Sequence, residues 1–494
     1  MKNNSVIKPI ILILTAFLFL AFSFDISTGS VRSASFIFLI ICTIIVLAAF
    51  RKELPSTAVF YAMLTGMFLK LAYVIYTPVW CRQHDVIDFG AGEGHAAYME
   101  YILSHKALPD FDPRTLWAFF QPPLHHMICA VWMWINIRLG LSQEHMHKNV
   151  QLLPFLYMCI LTFTIYLICR ELAMKKSATF VTMLIVSFHP IYILMSGSIN
   201  NDALSVMLTV AALYFAIRWY MDPTTGRIML LALSIGLAMS AKLSAALVAV
   251  PVGIMMIYKI LTDTKRLSDR RKVLSYLLEL IPFAVTVFPL GLWWTVRNKI
   301  LFDMPANYIP EVGEHTERFG IVPTILDIRT ASPFLYMKAN GFAYDEYNLL
   351  LATVKSALFG EGDFAHVSPY LTFAGWILLA SAAVITVLGI VAAVMICTDR
   401  EAGPDSGIKL LLVLCAVTFA AGYTAFAISG RNLSAMNFRY SAAGVSVFAL
   451  LIGLWHARAD ALGKKTVCKI TVACTLIFAA ASAAFYVLVG LFGA

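Results

Sequence analysis

Long apolar stretches separated by short polar turns make up most of this chain of 494 residues. A helix needs about 20 mostly apolar residues to cross the hydrocarbon core of a bilayer, with about 17 to 25 as the working range. The pattern therefore predicts an all-α polytopic membrane protein with about 13 spans, of which those within 36–50 and 228–258 are short or merged. The predicted spans are 6–24, 36–50, 56–79, 150–170, 177–196, 202–220, 228–241, 243–258, 274–299, 368–396, 408–428, 437–456 and 467–491.

Two long polar intervals interrupt this pattern. The interval 81–149 follows the third predicted span and gathers carboxylates and histidines between Cys81 and Met127. The interval 301–367 carries prolines, charges and aromatic residues, which is typical of an ordered but irregular loop. The predicted organisation is an N-terminal pair of spans (1–55), a transmembrane core that includes the first loop (56–300), a second loop (301–367) and a C-terminal group of spans (368–494).

Composition agrees with a membrane protein. The chain is 60% hydrophobic and 13% charged, with a mean hydropathy of +0.80, so a soluble domain is excluded. The formal charge of +9 comes from lysine and arginine in short turns, and it does not indicate nucleic-acid binding. The apolar segment 6–24 resembles a signal peptide, but no convincing cleavage site follows it, so we expect a retained span. Eight of the nine cysteines lie in or beside apolar runs without CxxC spacing, which indicates packing residues.

The distribution of positive charge predicts the orientation. Lysine and arginine mark the short turns after predicted spans, and the positive-inside rule places these turns together on the cytoplasmic side. This arrangement requires that 122–139 does not cross. The prolines, histidines and tryptophans of that segment predict a helix lying at the membrane interface. The pieces that then face outward are 81–149, 196–202, the turn around Lys242, 301–367 and 431–439. We therefore predict that the protein lies in the plasma (inner) membrane and that its active site is extracytoplasmic.

Candidate catalytic groups lie in the first outward loop. A carboxylate in a half-shielded loop suits general-base work on an acceptor hydroxyl or amine. Asp85, just behind the third predicted span, is the preferred base; Glu93 is the alternative, and Asp88 comes third. A structural role for any one of them remains the competing interpretation.

Four cations lie at outer ends of predicted spans, against the positive-inside trend. Cations fixed there suit an anionic ligand such as a lipid phosphate. The competing interpretation is that they reach toward lipid head groups. The four are Lys242, Arg297, Arg431 and Arg439.

The histidines also raise the question of a metal. His84, Asp85 and His95, or His125 and His126 with a carboxylate, could form a site, but none has the HExxH spacing. We therefore predict no required cofactor, although a divalent metal is compatible with these residues. The chain contains no GxSxG motif, and its glycine-rich GAGEG segment precedes no Lys-Ser/Thr pair of the phosphate-binding type.

The order of several short motifs resembles the GT-C superfamily of polytopic glycosyltransferases over roughly residues 56–450. An acidic residue follows a span, and then come HAAYMEYILSHKALPDFDP and QPPLHH. Further similar pieces are Asn200-Asn201-Asp202, the AKLS around Lys242, Trp294 with Arg297-Asn298, and Phe438 to Ser441. The most similar branch is the bacterial dolichyl-phosphate-mannose-protein mannosyltransferase and aminoarabinose-transferase group, which is glycosyltransferase family 39-like.

This resemblance implies an activity. Members take a sugar from a polyprenyl-phosphate carrier and transfer it, with inversion, to an acceptor on the outer face. Applied here, Asp85 would deprotonate the acceptor, and some of Lys242, Arg297 and Arg439 would converge on the lipid phosphate. The implied substrate-binding residues are His84, His95, Tyr98, Gln121, His125, Lys242, Arg297 and Arg439.

Two departures from the family pattern leave choices open. Gly94 and His95 occupy the places where related sequences often have an acidic pair before the tyrosine that matches Tyr98, so Glu93 could be the base instead of Asp85. No appended periplasmic domain is evident, so the acceptor could be a protein, a lipid or a glycan. The transferred sugar could be a hexose or a pentose.

Two other classes of function compete with the enzyme. A transporter or lipid flippase would be expected to hold its ionisable residues in broken helices near the membrane midplane, and often to show two similar halves. Here those residues lie mainly in outward loops, and neither half mirrors the other. A structural subunit of an envelope assembly is the third interpretation, against which the loop carboxylates and outer cations argue moderately.

Overall fold

The computed structural model describes most of the chain. The described residues are 56–83, 85–267, 270–306, 308–310, 320–328, 330, 332–334, 348–362, 364, 367–399, 401, 403–430 and 434–492. The predicted spans at 6–24 and 36–50 lie outside these residues, as do His84 and Arg431.

Within the described residues the chain forms α-helices and short 3₁₀-helices, and no β-strand. The α-helices are α1 (Thr57–Tyr76), α2 (Gly94–His105), α3 (Leu124–Arg138), α4 (Gln143–Asn149), α5 (Leu152–Glu171), α6 (Lys176–Phe188), α7 (Pro190–Ser196), α8 (Asp202–Met221), α9 (Thr225–Ala241), α10 (Ala249–Leu267), α11 (Arg270–Phe302), α12 (Ile321–Leu326), α13 (Leu349–Phe359), α14 (Pro369–Thr398), α15 (Ser406–Gly430), α16 (Ala443–Ala461) and α17 (Lys465–Phe492). The 3₁₀-helices are Pro113–Thr115, Leu243–Val248, Ser434–Met436 and Phe438–Ser441.

The described helices confirm a polytopic membrane protein. Eight spans are long and apolar enough to cross a bilayer, and the bent pair α6–α7 makes a ninth if it counts as one span. The predicted spans at 228–241 and 437–456 correspond to the helices α9 and α16, which are not among these eight. The total of 13 is therefore not confirmed. α3 has 15 residues, about 22 Å of helix, and is not among the candidate spans either.

The helix bundle has two ends, and α8 runs from one end to the other. Asp202 begins α8 at the end that carries the first loop, here called the loop end. Met221 ends the helix about 30 Å away, at the opposite end. At the opposite end, Arg218 forms an ion pair with Glu171, and Lys175 forms one with Asp460, so neighbouring helix ends are joined there.

Small residues allow the central helices to approach closely. A Cβ atom added to Gly66 of α1 would lie 2.5 Å from the Cβ of Ser187 on α6. A Cβ atom added to Gly453 of α16 would lie 2.1 Å from the Thr182 hydroxyl of α6. Because the lipid tails provide little hydrophobic drive for helices to associate, such close packing is a main source of bundle stability. α6 is thus fixed from two sides.

The break between α6 and α7 is repaired by distant side chains. The two helices bend by 48°, and Pro190, which has no N–H group, begins the second of them. The Ser187 carbonyl accepts a hydrogen bond from the buried Lys70 ammonium at 2.6 Å, and the Phe188 carbonyl accepts one from the Ser482 hydroxyl at 2.6 Å. His189 caps α7 by accepting the Ile191 N–H. Backbone groups inside a membrane need such partners.

We predict that Ser482→Ala lowers the free energy of unfolding by about 1–3 kcal/mol, because the buried Phe188 carbonyl loses this hydrogen bond. Thermal denaturation of the purified protein in detergent measures the change. The matched control is Ser429→Ala, since the exposed Ser429 hydroxyl donates to the Phe426 carbonyl of its own helix and, among the described residues, makes no hydrogen bond to another helix. Equal thermal midpoints for the two variants would show that the Ser482–Phe188 hydrogen bond does not stabilise the break between α6 and α7.

The outer face of the bundle is apolar. In the candidate span Tyr276–Phe302, only 17% of the most apolar window is buried inside the protein. Large side chains such as Val285, Phe288 and Ile300 are exposed on it. An apolar surface of this size in a helix of spanning length is covered by lipid.

Candidate functional site at the loop end

Gln83 joins the start of the first loop to the turn before α8. Its side-chain nitrogen donates to the carbonyls of Val79 and Gly197, at 3.1 and 3.3 Å. Its side-chain oxygen accepts hydrogen bonds from the Ser198 hydroxyl at 2.9 Å and the Ile199 N–H at 2.8 Å. A single buried amide thus holds Asp85, two residues later, against the segment that leads to Asp202.

The backbone around Gly94 fixes Asp85 to the start of α2. The His95 N–H donates to the Asp85 carbonyl at 3.2 Å, and the Gly94 N–H donates to the Trp117 carbonyl at 3.0 Å. Gly94 has φ = 90°, and a Cβ atom there would lie 2.4 Å from the Val86 carbonyl oxygen. Only glycine fits this conformation and this approach. The GAGEG segment thus serves to turn the chain tightly into α2.

Arg439 lies at the centre of three carboxylates from three parts of the chain. Its guanidinium donates to both oxygens of Asp85, at 3.1 and 2.7 Å, which is a bidentate pair. Asp202 lies 3.5 Å and Glu361 3.7 Å from the same guanidinium. All four side chains are at least nine-tenths buried. First loop, α8 and the segment after α13 therefore meet at one cation.

Local structure aims Arg439 at this centre. Asn437 begins the 3₁₀-helix Phe438–Ser441, and its side-chain oxygen accepts the Arg439 N–H at 3.0 Å. The Asn437 side-chain nitrogen donates to Glu361 at 3.0 Å. Burial alone would lower the pKa of Arg439, but Asp85, Tyr440, Glu361 and Asp202 together raise it well above its ordinary value. The guanidinium thus stays charged at every working pH.

Lys242 adds a second cation to the same cluster. It lies between α9 and the following 3₁₀-helix, where its N–H still bonds to the Ala238 carbonyl. Its ammonium lies 2.5 Å from Asp202 and 4.6 Å from the centre of the Tyr440 ring. Arg439 lies over the same ring at 5.1 Å and donates to the Tyr440 hydroxyl at 3.1 Å. Both cations therefore contact the same aromatic ring and the same carboxylate, Asp202.

The histidines of the first loop extend the cluster inward. His95 Nε2 lies 3.5 Å from an Asp85 oxygen, and its Nδ1 lies 2.8 Å from His126 Nε2. The Tyr98 ring is fully buried and stacks on His126, with ring centres 4.3 Å apart. His125 Nε2 lies 2.9 Å from the Ile199 carbonyl oxygen. The predicted binding residues Tyr98 and His125 thus lie behind the carboxylates, packed in the protein.

Burial of His125 leads to a pH prediction. Burial lowers the pKa of His125 from 6.5 to about 4, outweighing the Ile199 carbonyl that raises it. The folded state therefore binds this proton less readily than the unfolded state, so the contribution to stability is present above about pH 6.5 and is lost as pH falls toward 4. We expect wild type to lose about 2 kcal/mol through this group between about pH 7.5 and 5.

Thermal denaturation at the two pH values tests this expectation. His125→Gln keeps an amide that can donate to the Ile199 carbonyl but does not titrate, so its midpoint should fall less than that of wild type. The control is His105→Gln, because His105 is exposed. A wild-type pH dependence unchanged in His125→Gln would contradict the assignment.

Arg297 lies in a second group of contacts. Its guanidinium donates to the Pro109 carbonyl and to the Asn298 side-chain oxygen, and it lies over the Trp294 ring at 4.8 Å. The Trp294 N–H donates to the Phe120 carbonyl at 3.1 Å. Gln121 follows Phe120, and its side-chain oxygen accepts a hydrogen bond from the Asn201 side-chain amide at 3.3 Å. Asn201 directly precedes Asp202. The end of α11 is therefore connected to the Asp202 turn through the first loop.

Glu93 and Asp88 occupy different surroundings from Asp85. Both are exposed on the first loop. Glu93 precedes α2 without a side-chain cap, and Asp88 accepts the Phe89 N–H at 2.8 Å. The buried loop carboxylate at the cation cluster is Asp85.

The described carboxylates and histidines of the site contact one another and Arg439 and are not arranged around a metal position. In the described part of the chain, no group of three or more histidine, cysteine, aspartate or glutamate side chains could hold one. The Arg439 guanidinium occupies the space on which Asp85, Asp202 and Glu361 converge. The predicted compatibility with a divalent metal stays a prediction.

Several site residues had no role in the sequence-based prediction. Asp202 and Tyr440 were noted only as parts of motifs and His126 only as a possible metal ligand, whereas Glu361 and Gln83 had no assigned function. Glu361 follows Gly360, a residue with φ = 61° in a short FGEG turn, and this turn was the only local signal. The remaining partners become visible only through contacts between distant parts of the chain.

Comparison with known proteins agrees with this fold. Residues 122–293 match the model of the dolichyl-phosphate-mannose-protein mannosyltransferase family. The structure is similar to that of the archaeal oligosaccharyltransferase AglB from Archaeoglobus fulgidus, in complex with an inhibitory peptide and a dolichol-phosphate, with a TM-score of 0.50 and 14% identity. The similarity covers 90% of this chain and 56% of AglB, so this chain spans about half the length of that protein. The fold is of the GT-C type.

Other comparisons add less. ArnT from Cupriavidus metallidurans, bound to undecaprenyl phosphate, is similar over 79% of this chain and 77% of its own, with a TM-score of 0.37 and 15% identity. No curated protein matches the chain. The family match and the AglB-like fold confirm the predicted resemblance to the GT-C superfamily and its mannosyltransferase group.

Proposed function

We propose that the protein is a membrane glycosyltransferase. It transfers a sugar from a polyprenyl-phosphate-linked donor to an acceptor, with inversion of the anomeric carbon, at the loop end of the bundle. The observation that carries the proposal is the buried Asp85–Arg439 pair, surrounded by Asp202, Glu361 and Lys242, at one end of a GT-C-type helix bundle. The match to a family named for dolichyl-phosphate-mannose donors supports the donor class.

Asp85 is the proposed general base. The acceptor oxygen or nitrogen attacks the anomeric carbon while its proton passes to the Asp85 carboxylate. The bond from the anomeric carbon to the phosphate oxygen breaks on the opposite side, and the electron pair leaves with the phosphate. A phosphate is a good leaving group, so this step needs electrostatic stabilisation more than a general acid.

Asp85 is preferred to Glu93 on burial and contacts. A base must be fixed in orientation, and the bidentate contact with Arg439 fixes both oxygens of Asp85. Glu93 is exposed and lies outside this cluster. The chemistry expected of the base therefore belongs to Asp85.

The donor phosphate is proposed to lie between Lys242 and Arg297. Arg439 is already neutralised by carboxylates, whereas the described contacts of Arg297 are to a carbonyl, an amide oxygen and aromatic rings. The charge of Arg297 is thus available to an anion. Lys242 can exchange its contact with Asp202 for a phosphate oxygen. Convergence of all three cations on one phosphate remains a prediction for the donor-bound state.

The loop end is proposed to face outward from the plasma (inner) membrane. Support comes from the opposite end, where the short turns and the helix ends beside them carry Arg170, Lys175, Lys176, Arg227 and Lys464. The positive-inside rule assigns such turns to the cytoplasm. The acceptor would then be a protein, lipid or glycan outside the cell. AglB was solved with a peptide, and this agrees with a peptide as one candidate.

The experiment is a transfer assay with the purified protein in lipid vesicles. Synthetic polyprenyl-phosphate donors carrying radiolabelled hexoses or pentoses are offered with peptide, lipid and glycan acceptors. We expect one donor to support transfer and the product to have the inverted anomeric configuration. Failure of every donor either to bind or to turn over would contradict the proposal. Movement of donor across the vesicle bilayer without transfer would indicate a lipid flippase instead.

A further inference from the structure

Three side chains form a line from the edge of the site into the protein. Asp85 faces His95 Nε2 at 3.5 Å, and His95 Nδ1 faces His126 Nε2 at 2.8 Å. The two imidazole planes differ by only 2°, so they hydrogen-bond edge to edge. His95 and His126 are 3% and 0% exposed. Of the two, only His95 touches the proposed base.

The contact between His95 and His126 restricts which ring nitrogens of the two histidines carry protons. The short contact between the two rings holds one proton, so one of the two nitrogens must be bare. If His95 Nδ1 carries that proton, His95 Nε2 is free to accept another from Asp85. If His126 Nε2 carries it, His95 has its own proton on Nε2, pointing at the carboxylate. His126 thereby controls which form of His95 faces Asp85.

The surroundings favour His95, and not His126, as the histidine that takes the acceptor proton from Asp85. Burial, with His95 and His125 nearby, holds the pKa of His126 well below its ordinary value, so His126 stays neutral. The groups that face His95 are Asp85 from the loop before α2 and His126 and His125 from α3, with Arg439 behind Asp85. A carboxylate whose oxygens are both engaged by a guanidinium holds an added proton weakly. His95 Nε2, 3.5 Å from an Asp85 oxygen, is the ring nitrogen placed to take that proton.

We propose that His95 is a positioning and proton-carrying residue for Asp85, with His126 fixing its ring. This inference rests on the proposed glycosyl transfer. The acceptor proton passes to the Asp85 carboxylate as the new bond to the anomeric carbon forms and the bond to phosphate breaks. The proton then moves to His95 Nε2, which becomes an imidazolium, and Asp85 is again an anion. After product leaves, His95 releases the proton to water or to the departing phosphate, and the charges balance.

The pH profile of the wild type gives the first test. The proposal expects kcat to fall on the acid side, because a His95 ring that already carries both protons cannot accept another from Asp85. A wild-type kcat that stays constant down to about pH 5 would overturn the proposal without any mutation.

Variants provide the second test. His95→Asn should lower kcat at least about tenfold, leave KM for the donor nearly unchanged and remove the acid limb. His95→Ala should regain part of its kcat when imidazole is added, which a structural role would not produce. His126→Asn, which keeps a polar partner but cannot titrate, should shift the acid limb and leave it present. Full activity with an intact acid limb in His95→Asn would overturn the proposal.

The two proposals fail in different ways. If the wild type transfers no sugar in any assay, the proposed function and this inference both fall. If the wild type transfers sugar and His95→Asn does so equally well with the same pH profile, only the inference falls. Should His95→Asn not fold, the imidazole response of His95→Ala and the wild-type profile decide.

Discussion

Asp85→Asn should lower the rate of sugar transfer at least about 10²-fold, because the amide keeps the shape of the carboxylate but cannot take the acceptor proton. The loss should appear mainly in kcat, since the phosphate-binding cations stay in place. The introduced amide oxygen can still accept one hydrogen bond from Arg439, so the site keeps part of its geometry. The measurement is transfer of radiolabelled sugar by purified protein in lipid, with donor concentration varied to separate kcat from KM.

A loss of folding must be separated from a loss of chemistry. Removing the Asp85 charge leaves Arg439 with two carboxylates at 3.5 and 3.7 Å, so the guanidinium remains compensated. The matched control is Glu93→Gln, the same change from carboxylate to amide on the same loop at an exposed position. Wild-type activity in Asp85→Asn, or a loss confined to Glu93→Gln, would move the base to Glu93.

Hydropathy predicted the fold well because membrane spans are encoded locally. The apolar stretches at 368–396 and 467–491 became α14 and α17 with nearly the same limits. The stretch 177–196 reads as one continuous span, yet it is broken at Pro190. The proline is visible in the sequence, but Lys70 and Ser482, which make the break tolerable, are 117 and 294 residues from their partner carbonyls. Pairings over such distances leave no periodic pattern.

The site was predictable in part, for a related reason. Asp85, Lys242 and Arg439 drew attention as charges that hydropathy and the positive-inside rule do not explain. The sequence did not show which residues these charges contact, because partners such as Asp85 and Arg439 are 354 residues apart in the chain. His126 was considered only as a metal ligand, and its contact with His95 depends on how α2 packs on α3. Charge in an unexpected place is a local signal, whereas the pairing of charges is not.

Arg439→Met should abolish measurable transfer and also destabilise the protein. The arginine is nine-tenths buried between Asp85, Asp202 and Glu361, and removal of one partner from a buried ionic cluster costs about 3–5 kcal/mol. Without the guanidinium, Asp85 loses the contact that orients it, so chemistry should fall even in molecules that stay folded. The measurements are the transfer rate and the thermal midpoint of the purified variant.

The pH dependence of the variant distinguishes loss of charge from loss of packing. In this variant Asp202 keeps its contact with Lys242, whereas Asp85 and Glu361 lose the Arg439 guanidinium. Buried carboxylates that lose a neighbouring cation take up protons more readily than in the unfolded chain. Stability linked to such groups is present at low pH and is lost as pH rises. The loss of unfolding free energy in Arg439→Met, relative to wild type, should therefore become smaller as the pH is lowered from about 7.5 to 5. A loss that is the same at both pH values would indicate that only packing has been lost.

Arg458→Met is the matched control for this change. Arg458 also contacts two carboxylates, Asp399 at 2.7 Å and Glu401 at 3.0 Å, but at the opposite end of the bundle. Its partners are more exposed, so its loss should cost little stability and no activity. Arg439→Lys adds a second comparison, because a lysine keeps the charge without the bidentate geometry. It should fold close to wild type and still transfer sugar slowly, which isolates the orientation of Asp85 as the contribution of the guanidinium. Equal transfer by Arg439→Lys and wild type would show that charge alone is sufficient.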